Sequence, residues 1–292
     1  MTAPAATAAE ALSGLARIRP AGWLGTALPQ DPEGLLALAR RALETDHPGV
    51  TGELTMLAAR YTAAVFTVGG TQEPLVLKLH ADPAAFAGES LAYALLGSTA
   101  PVPMLHGEGE ASLSLLLEYL PEPADWTARS TPAALVECVA AVHTATTRLS
   151  SPEAAALGGF TLAATNDTAP TWISDTGAWA EVTAAHLDAY GADVVPLGHL
   201  DLKPQHLRRR ANSTLALLDT ETVRPDVTGL IDLVTLPAVM RQAGRELPAA
   251  HVLDLYLEAV WGYGARWSAQ SLRAALRAFA TATGLHDLQG LA

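Results

Sequence analysis

A single cysteine in 292 residues excludes a disulfide within the chain and any multi-cysteine zinc site. Cys138 lies in the apolar run LVECVAAVH, so it reads as a buried packing residue, and one unpaired thiol fits a reducing cytoplasm. Basic residues are also scarce, with 18 Lys and Arg against 30 Asp and Glu and a formal net charge of −12. Neutralising a nucleic-acid backbone takes clustered cations, so no nucleic-acid partner is expected, whereas the field of an acidic protein favours a cationic ligand. No apolar run reaches the length of a membrane span. The start, MTAPAATAAEALSGLARIRPAGW, lacks the basic start and the continuous apolar core of a secretory signal. The expectation is a cytoplasmic protein with no membrane partner. Missing too are a G-x-S-x-G nucleophile elbow, an H-E-x-x-H zinc motif and a G-x-x-x-x-G-K phosphate loop, each of which would have pointed to a different chemistry.

Hydrophobic content of 50% excludes general disorder, and the chain is long enough for one large domain or two lobes. Residues 1–30 read as an N-terminal arm. Asp31 and Pro32 then offer a cap and a first helical residue for EGLLALARRALE. Strand patterns follow in GELTMLAA, YTAAVFTV and PLVLKLH, the last two separated by a Gly69-Gly70 turn, and three antiparallel strands are the natural reading. Asp82 and Pro83 open a helix that stops at Gly97, and MLHGEGEASLSLLLEYL predicts another hairpin with Gly107 and Gly109 in its turn. After Pro121 and Pro123 the pattern changes to long helices: TPAALVECVAAVHTATTRL, a segment near 171–190, and three more beyond 228. These observations predict an α+β chain with an N-terminal antiparallel sheet lobe carrying a helix, over 31–120, and a larger, mostly helical lobe over 121–292.

Within the helical half, GHLDLKPQHL at 198–207 and LALLDTE at 215–221 bring two aspartates into one neighbourhood. The apolar pieces VVPLGHLDL and TLALLDT flank the loop 203–213, and a small hairpin or sheet fragment there would set both carboxylates at one mouth. Phosphoryl transfer needs such a pair, one carboxylate to accept the proton of an attacking hydroxyl and one to hold the Mg²⁺ that screens ATP. Asp201 and Asp219 are the candidates. Other features fall in the order such a site requires. Lys78 ends an apolar strand, where a cation needs an anion such as a nucleotide phosphate, and Glu89 on the next helix can orient it. The backbone of Glu118, Tyr119 and Leu120, at the end of LLLEYL, can hydrogen-bond an adenine edge, and His199 can brace the loop of Asp201. The run Arg208 to Arg210 reads as a solvated surface.

With H-x-D-x-K-P followed by an apolar strand ending in Asp, the chain resembles the aminoglycoside phosphotransferase and choline kinase-like family, small-molecule relatives of the protein kinases, over about residues 31–290. The resemblance implies a bilobal protein-kinase-like fold, ATP and Mg²⁺ as cofactors, and a small-molecule hydroxyl acceptor such as an antibiotic, an aminoalcohol or another natural product. By the same likeness Lys78 contacts the nucleotide phosphates, Glu89 holds Lys78, Asp201 is the base, Lys203 reaches the transferred phosphate, and Asp219 binds metal. Glu221 and Asp232 take structural or substrate-facing places. Two positions depart from the family pattern. His206 stands at the second metal position, where the pattern has Asn, although Mg²⁺ prefers oxygen ligands. The loop AARYTAA has no glycine to approach phosphate, leaving the Arg60 side chain for that task. These departures motivate a second expectation, a kinase-like nucleotide-binding or scaffold protein of impaired activity; the DLKP signature motivates a third, a kinase for Ser or Thr of a biosynthetic peptide. The acceptor pocket is expected in the helical lobe, near 171–190 and the helices that carry Trp261 and Trp267.

Overall fold

The computed structural model describes residues 28–29, 31–97, 100–165, 175–223 and 229–283. The arm expected over 1–30 and the first residues of the 171–190 segment therefore lie almost wholly outside them. The chain divides into two compact units, one of residues 1–98 with 102–122 and the other of 99–101 with 123–292.

In the first unit, α1 (Pro32–Asp46) starts where Asp31 accepts a hydrogen bond from the Gly34 amide at 2.6 Å, with Pro32 in the first turn where its missing N–H has no cost. Three strands follow, β1 (Glu53–Ala59), β2 (Ala63–Gly69) and β3 (Leu75–His80), then α2 (Pro83–Leu96), β4 (Leu105–Gly109) and β5 (Ser114–Glu118). They form one antiparallel sheet in the order β1-β2-β3-β5-β4. β3 is buried along its whole length, as expected of a central strand, whereas β1 is an edge strand and mostly exposed. Phe66, Val68, Leu77 and Leu79 pack against Leu35, Ala39 and Leu43 of α1. α2 is capped by Asp82 and ends at Gly97, whose φ of +60° is a positive value glycine adopts freely.

The last hairpin turns later than its glycines suggested. Gly107 and Gly109 belong to β4, and the connection is 110–113. Asp46, at the end of α1, accepts hydrogen bonds from both the amide (2.8 Å) and the hydroxyl (2.5 Å) of Ser112, which pins the tip beyond the glycines. A Cβ on Gly109 would stand 2.6 Å from Cβ of Asp46 and 2.3 Å from the Ser114 hydroxyl, so this glycine serves close approach rather than turning.

The second unit contains α3 (Thr131–His143), the short α4 (Ser151–Ala156) and α5 (Leu162–Thr165), then α6 (Thr176–Tyr190), α7 (Leu230–Gln242), α8 (Ala249–Gly262) and α9 (Ala269–Thr283). α3 runs through its centre, with Leu135, Val136, Val139 and Ala140 inaccessible to solvent. α9 lies along α6, and α8 packs on α3. Among the described residues, no helix is long and apolar enough to cross a membrane. Cys138 is buried within α3, and burial pushes its thiol up to about 12, which agrees with a packing role. Trp267 is also a core residue, its ring 4.3 Å from that of Tyr190 and 6.3 Å from that of Tyr256, while Trp261 remains half exposed.

The pairing around the aspartates is a hairpin of β6 (Leu207–Arg209) and β7 (Leu215–Leu217), with Leu207 opposite Leu217. The expected first strand, 194–202, is instead an irregular segment, and Arg208 and Arg209 sit in β6 rather than in a loop. Its backbone donors at 199 and 200 go to a side chain, which removes them from any strand ladder.

Phe66 has no solvent exposure and lies between β2 and α1. Phe66→Ala is expected to destabilise the first unit by about 3–5 kcal/mol, read as a lower urea midpoint at unchanged slope.

Candidate functional site

Two groups of chemically active side chains form, one in each unit. In the first, strand periodicity places Lys78 and His80 on the same face of β3, and both meet Glu89 of α2. The Lys78 ammonium is 2.8 Å and the His80 imidazole 2.9 Å from the same carboxylate oxygen of Glu89. All three residues are buried. Burial alone would raise the Glu89 carboxyl, but the adjacent Lys78 and His80 outweigh it and hold it down at about 2. The pairing of Lys78 with Glu89 matches the expectation. His80 was not anticipated, although its position two residues after Lys78 was the available signal.

Arg60 is exposed and begins a tight turn in which its amide donates to the Ala63 carbonyl at 2.8 Å. The amides of Glu118 and Tyr119 are engaged within the unit, by Met104 at 2.8 Å and Pro74 at 2.9 Å. Of the three residues considered for an adenine edge, only Leu120 keeps its N–H clear of these pairings.

In the second unit the centre is Asp232, fully buried in the first turn of α7. One carboxylate oxygen accepts from the His199 amide (2.5 Å) and from the His143 imidazole (2.9 Å), and the other accepts from the Leu200 amide at 2.7 Å. The Tyr256 hydroxyl donates to the remaining ring nitrogen of His143 at 2.7 Å. Three donors satisfy a carboxylate that has no access to water. They also hold the backbone just before Asp201 and allow Leu200 a φ of +64°, costly for a branched residue. Gly229, next to this cluster, leaves room that a Cβ would fill, 2.7 Å from the Leu197 carbonyl and 2.8 Å from the His143 ring.

The segment from 199 to 219 is laced to itself. His199 is buried, and its Nε2 donates to the Leu218 carbonyl at 2.8 Å; the Leu218 amide donates to the His206 carbonyl at 2.8 Å; the Thr222 hydroxyl donates to the His199 carbonyl. Desolvation lowers the His199 imidazole from its ordinary value, which keeps the ring neutral and fixed as an Nε2–H donor. His199 thus braces the loop as expected. Lys203 Nζ lies 2.7 Å from a carboxylate oxygen of Asp201. Asp219 follows β7 with a φ of +67°, a conformation Asp tolerates better than most residues.

His206 closes the group. Its Nδ1 is 2.9 Å from the Asp201 carbonyl and its Nε2 is 3.8 Å from a carboxylate oxygen of Asp219. Potential ligand atoms of Asp201, His206 and Asp219 fall within 4.8 Å of one another. The carboxylates suit a hard divalent cation such as Mg²⁺; the imidazole suits a softer one. Asp232, given a structural or substrate-facing place from the sequence, is a buried clamp, while Glu221 is exposed in the turn after Asp219. The roles of His143 and Tyr256 were not legible, since each reads as an ordinary helix residue.

No protein-family model and no curated protein matches the chain. Solved structures do resemble it. The ethanolamine kinase of Plasmodium vivax superposes with a TM-score of 0.51 at 10% identity, over 87% of this chain and 80% of that one. A choline/ethanolamine kinase family protein from Mesorhizobium loti gives 0.47 at 17% identity, over 89% and 84%, and the choline kinase LicA from Streptococcus pneumoniae 0.44 at 13%, over 86% and 100%. The first of these likenesses shows the fold: α+β and protein-kinase-like, with the sheet unit first and the helical unit second.

Glu89 has a depressed pKa, so its contribution to stability is present above the ordinary value of 4.5 and is lost as pH falls toward about 2. Acid unfolding followed by circular dichroism is expected to lose this contribution between those two values in the native sequence, and Glu89→Gln is expected to flatten that limb. Asp232→Ala strands three buried donors and is expected to cost roughly 3–5 kcal/mol in urea unfolding.

Proposed function

We propose that this chain is an ATP- and divalent-cation-dependent phosphotransferase of the aminoglycoside phosphotransferase and choline kinase-like family, transferring the γ-phosphate to a hydroxyl of a small molecule. The observation that carries the reading is the second-unit group, in which Asp201, Lys203 and Asp219 are held on one self-bonded segment, Lys203 at 2.7 Å from Asp201. The shared fold with an ethanolamine kinase supports it.

In this reading Asp201 accepts the proton of the acceptor hydroxyl as that oxygen attacks phosphorus, and Lys203 steadies both the carboxylate and the phosphoryl group in transfer. A divalent ion held at Asp219 and His206 screens the charge on the phosphates when bound. Lys78, oriented by Glu89, receives the nucleotide phosphates; the exposed Arg60 covers them, and the chain around Leu120 meets the base. In this reading residues 31–120 bind nucleotide, and 121–292 supply catalysis and acceptor binding. A cationic aminoalcohol is the favoured acceptor, since the chain carries a net charge of −12.

His206, standing where the family pattern has Asn and within 3.9 Å of one carboxylate and 3.8 Å of the other, also favours a second reading, in which nucleotide binds without turnover. Comparing ATP affinity with ADP release across a panel of aminoalcohols and aminoglycosides separates the two. Asp201→Asn is expected to retain nucleotide affinity in calorimetry and to lose roughly 10²–10⁴-fold in turnover. Turnover near that of the native sequence would remove Asp201 from the role of base.

A further inference from the structure

The ring of His206 has a defined tautomer. Its Nδ1 faces the Asp201 carbonyl at 2.9 Å, and a carbonyl only accepts, so this nitrogen carries the hydrogen. In the neutral imidazole the lone pair then sits on Nε2, the nitrogen 3.8 Å from a carboxylate oxygen of Asp219. The gap of 3.8 Å to the Asp219 carboxylate is too long for a hydrogen bond and lies within the span that two ligands of a single ion cover when each bond is about 2.1 Å. At this separation the Nε2 lone pair and the carboxylate are close enough to donate to a single ion, with Asp201 also within 4.8 Å.

The ring is also held in place before any ion arrives. It belongs to the 3-10 turn Pro204–His206, its own amide bonds the Lys203 carbonyl at 3.0 Å, and its carbonyl accepts from Leu218 at 2.8 Å. The side chain is largely buried, at 14% exposure. An imidazole that donates one N–H to a backbone carbonyl and places the other nitrogen near a carboxylate has the arrangement by which proteins orient metal-binding histidines.

We propose that His206 is a metal ligand and that it turns the cation site at Asp219 away from Mg²⁺ toward a first-row transition divalent ion, of which Mn²⁺ and Co²⁺ are representatives. The proposal rests on the phosphotransferase reading and refines its metal. Mg²⁺ demands near-octahedral oxygen ligation and gives up its waters reluctantly, so an imidazole in its shell is a poor exchange. Mn²⁺ and Co²⁺ accept mixed nitrogen and oxygen donors, with affinity rising along the series. Nucleotide phosphate oxygens and water complete the shell, which leaves Asp201 for the acceptor.

The test uses the full chain with a non-hydrolysable ATP analogue, titrated calorimetrically with Mn²⁺, Co²⁺ and Mg²⁺, alongside pulsed electron paramagnetic resonance of the Mn²⁺ complex made with ¹⁵N-histidine protein. The native sequence is expected to prefer Mn²⁺ over Mg²⁺ by at least ~10-fold more than the nucleotide analogue alone does, and to show nitrogen coupling at Mn²⁺. His206→Asn is expected to lower that preference by roughly 10–100-fold and to abolish the coupling. His206→Gln, which also supplies an oxygen, is measured in parallel so that one poorly folded variant does not decide the matter. An unchanged preference in both variants, or a Mn²⁺ spectrum without nitrogen coupling, would overturn the proposal and leave the phosphotransferase reading standing. Binding of no ion and no nucleotide would overturn both.

Discussion

The buried carboxylate of Asp232 is the constraint on which the helical unit is organised. A charge without access to water is tolerable only when its lone pairs are filled, and here two backbone amides and one imidazole fill them. Each donor carries a consequence. The amides at 199 and 200 fix the chain entering Asp201 and hold Leu200 in the left-handed region. The imidazole ties in α3, and through the Tyr256 hydroxyl it ties in α8. Gly229 has no side chain because the His143 ring and the Leu197 carbonyl occupy that space. The segment that bears the candidate base is therefore held by α3, α7 and α8 as well as by its own hydrogen bonds to Leu218.

The first unit applies the same principle to a different end. Glu89 is again a carboxylate buried among donors, but two of its partners, Lys78 and His80, come from one strand and converge on one oxygen. Lys78 is held at that carboxylate with little exposure to solvent. An ion pair at this depth is by itself weak grounds for a stabilising role.

Much of this was legible in the sequence, and the failures have physical reasons. Asp31-Pro32 and Asp82-Pro83 gave helix starts because cap and ring act locally, and the pairing of Lys78 with Glu89 was expected from the family resemblance. Gly107 and Gly109 misled, since glycine permits a turn and a close approach alike, and only Asp46 on a distant helix decides between them. The strand expected over 194–202 failed because its apolar residues are buried as predicted while its amides are claimed by Asp232, 32 and 33 residues away in sequence. His143 and Tyr256 left no local signal at all, as their roles exist only once α3, α7 and α8 have come together.

The hairpin between the two aspartates has a consequence for how such a chain can vary. Its base is fixed where Leu218 bonds both His199 and His206, and its tip is an exposed turn at Asn212 whose hydrogen bonds run among Arg210, Asn212, Ser213 and Thr214. Residues added or removed at the tip would lengthen or shorten the ribbon outward and leave the separation of Asp201 and Asp219 unchanged. Length variation among descendants of this sequence can therefore accumulate between residues 210 and 214, and a reporter peptide or affinity tag inserted there would sit on the molecule without disturbing its chemistry.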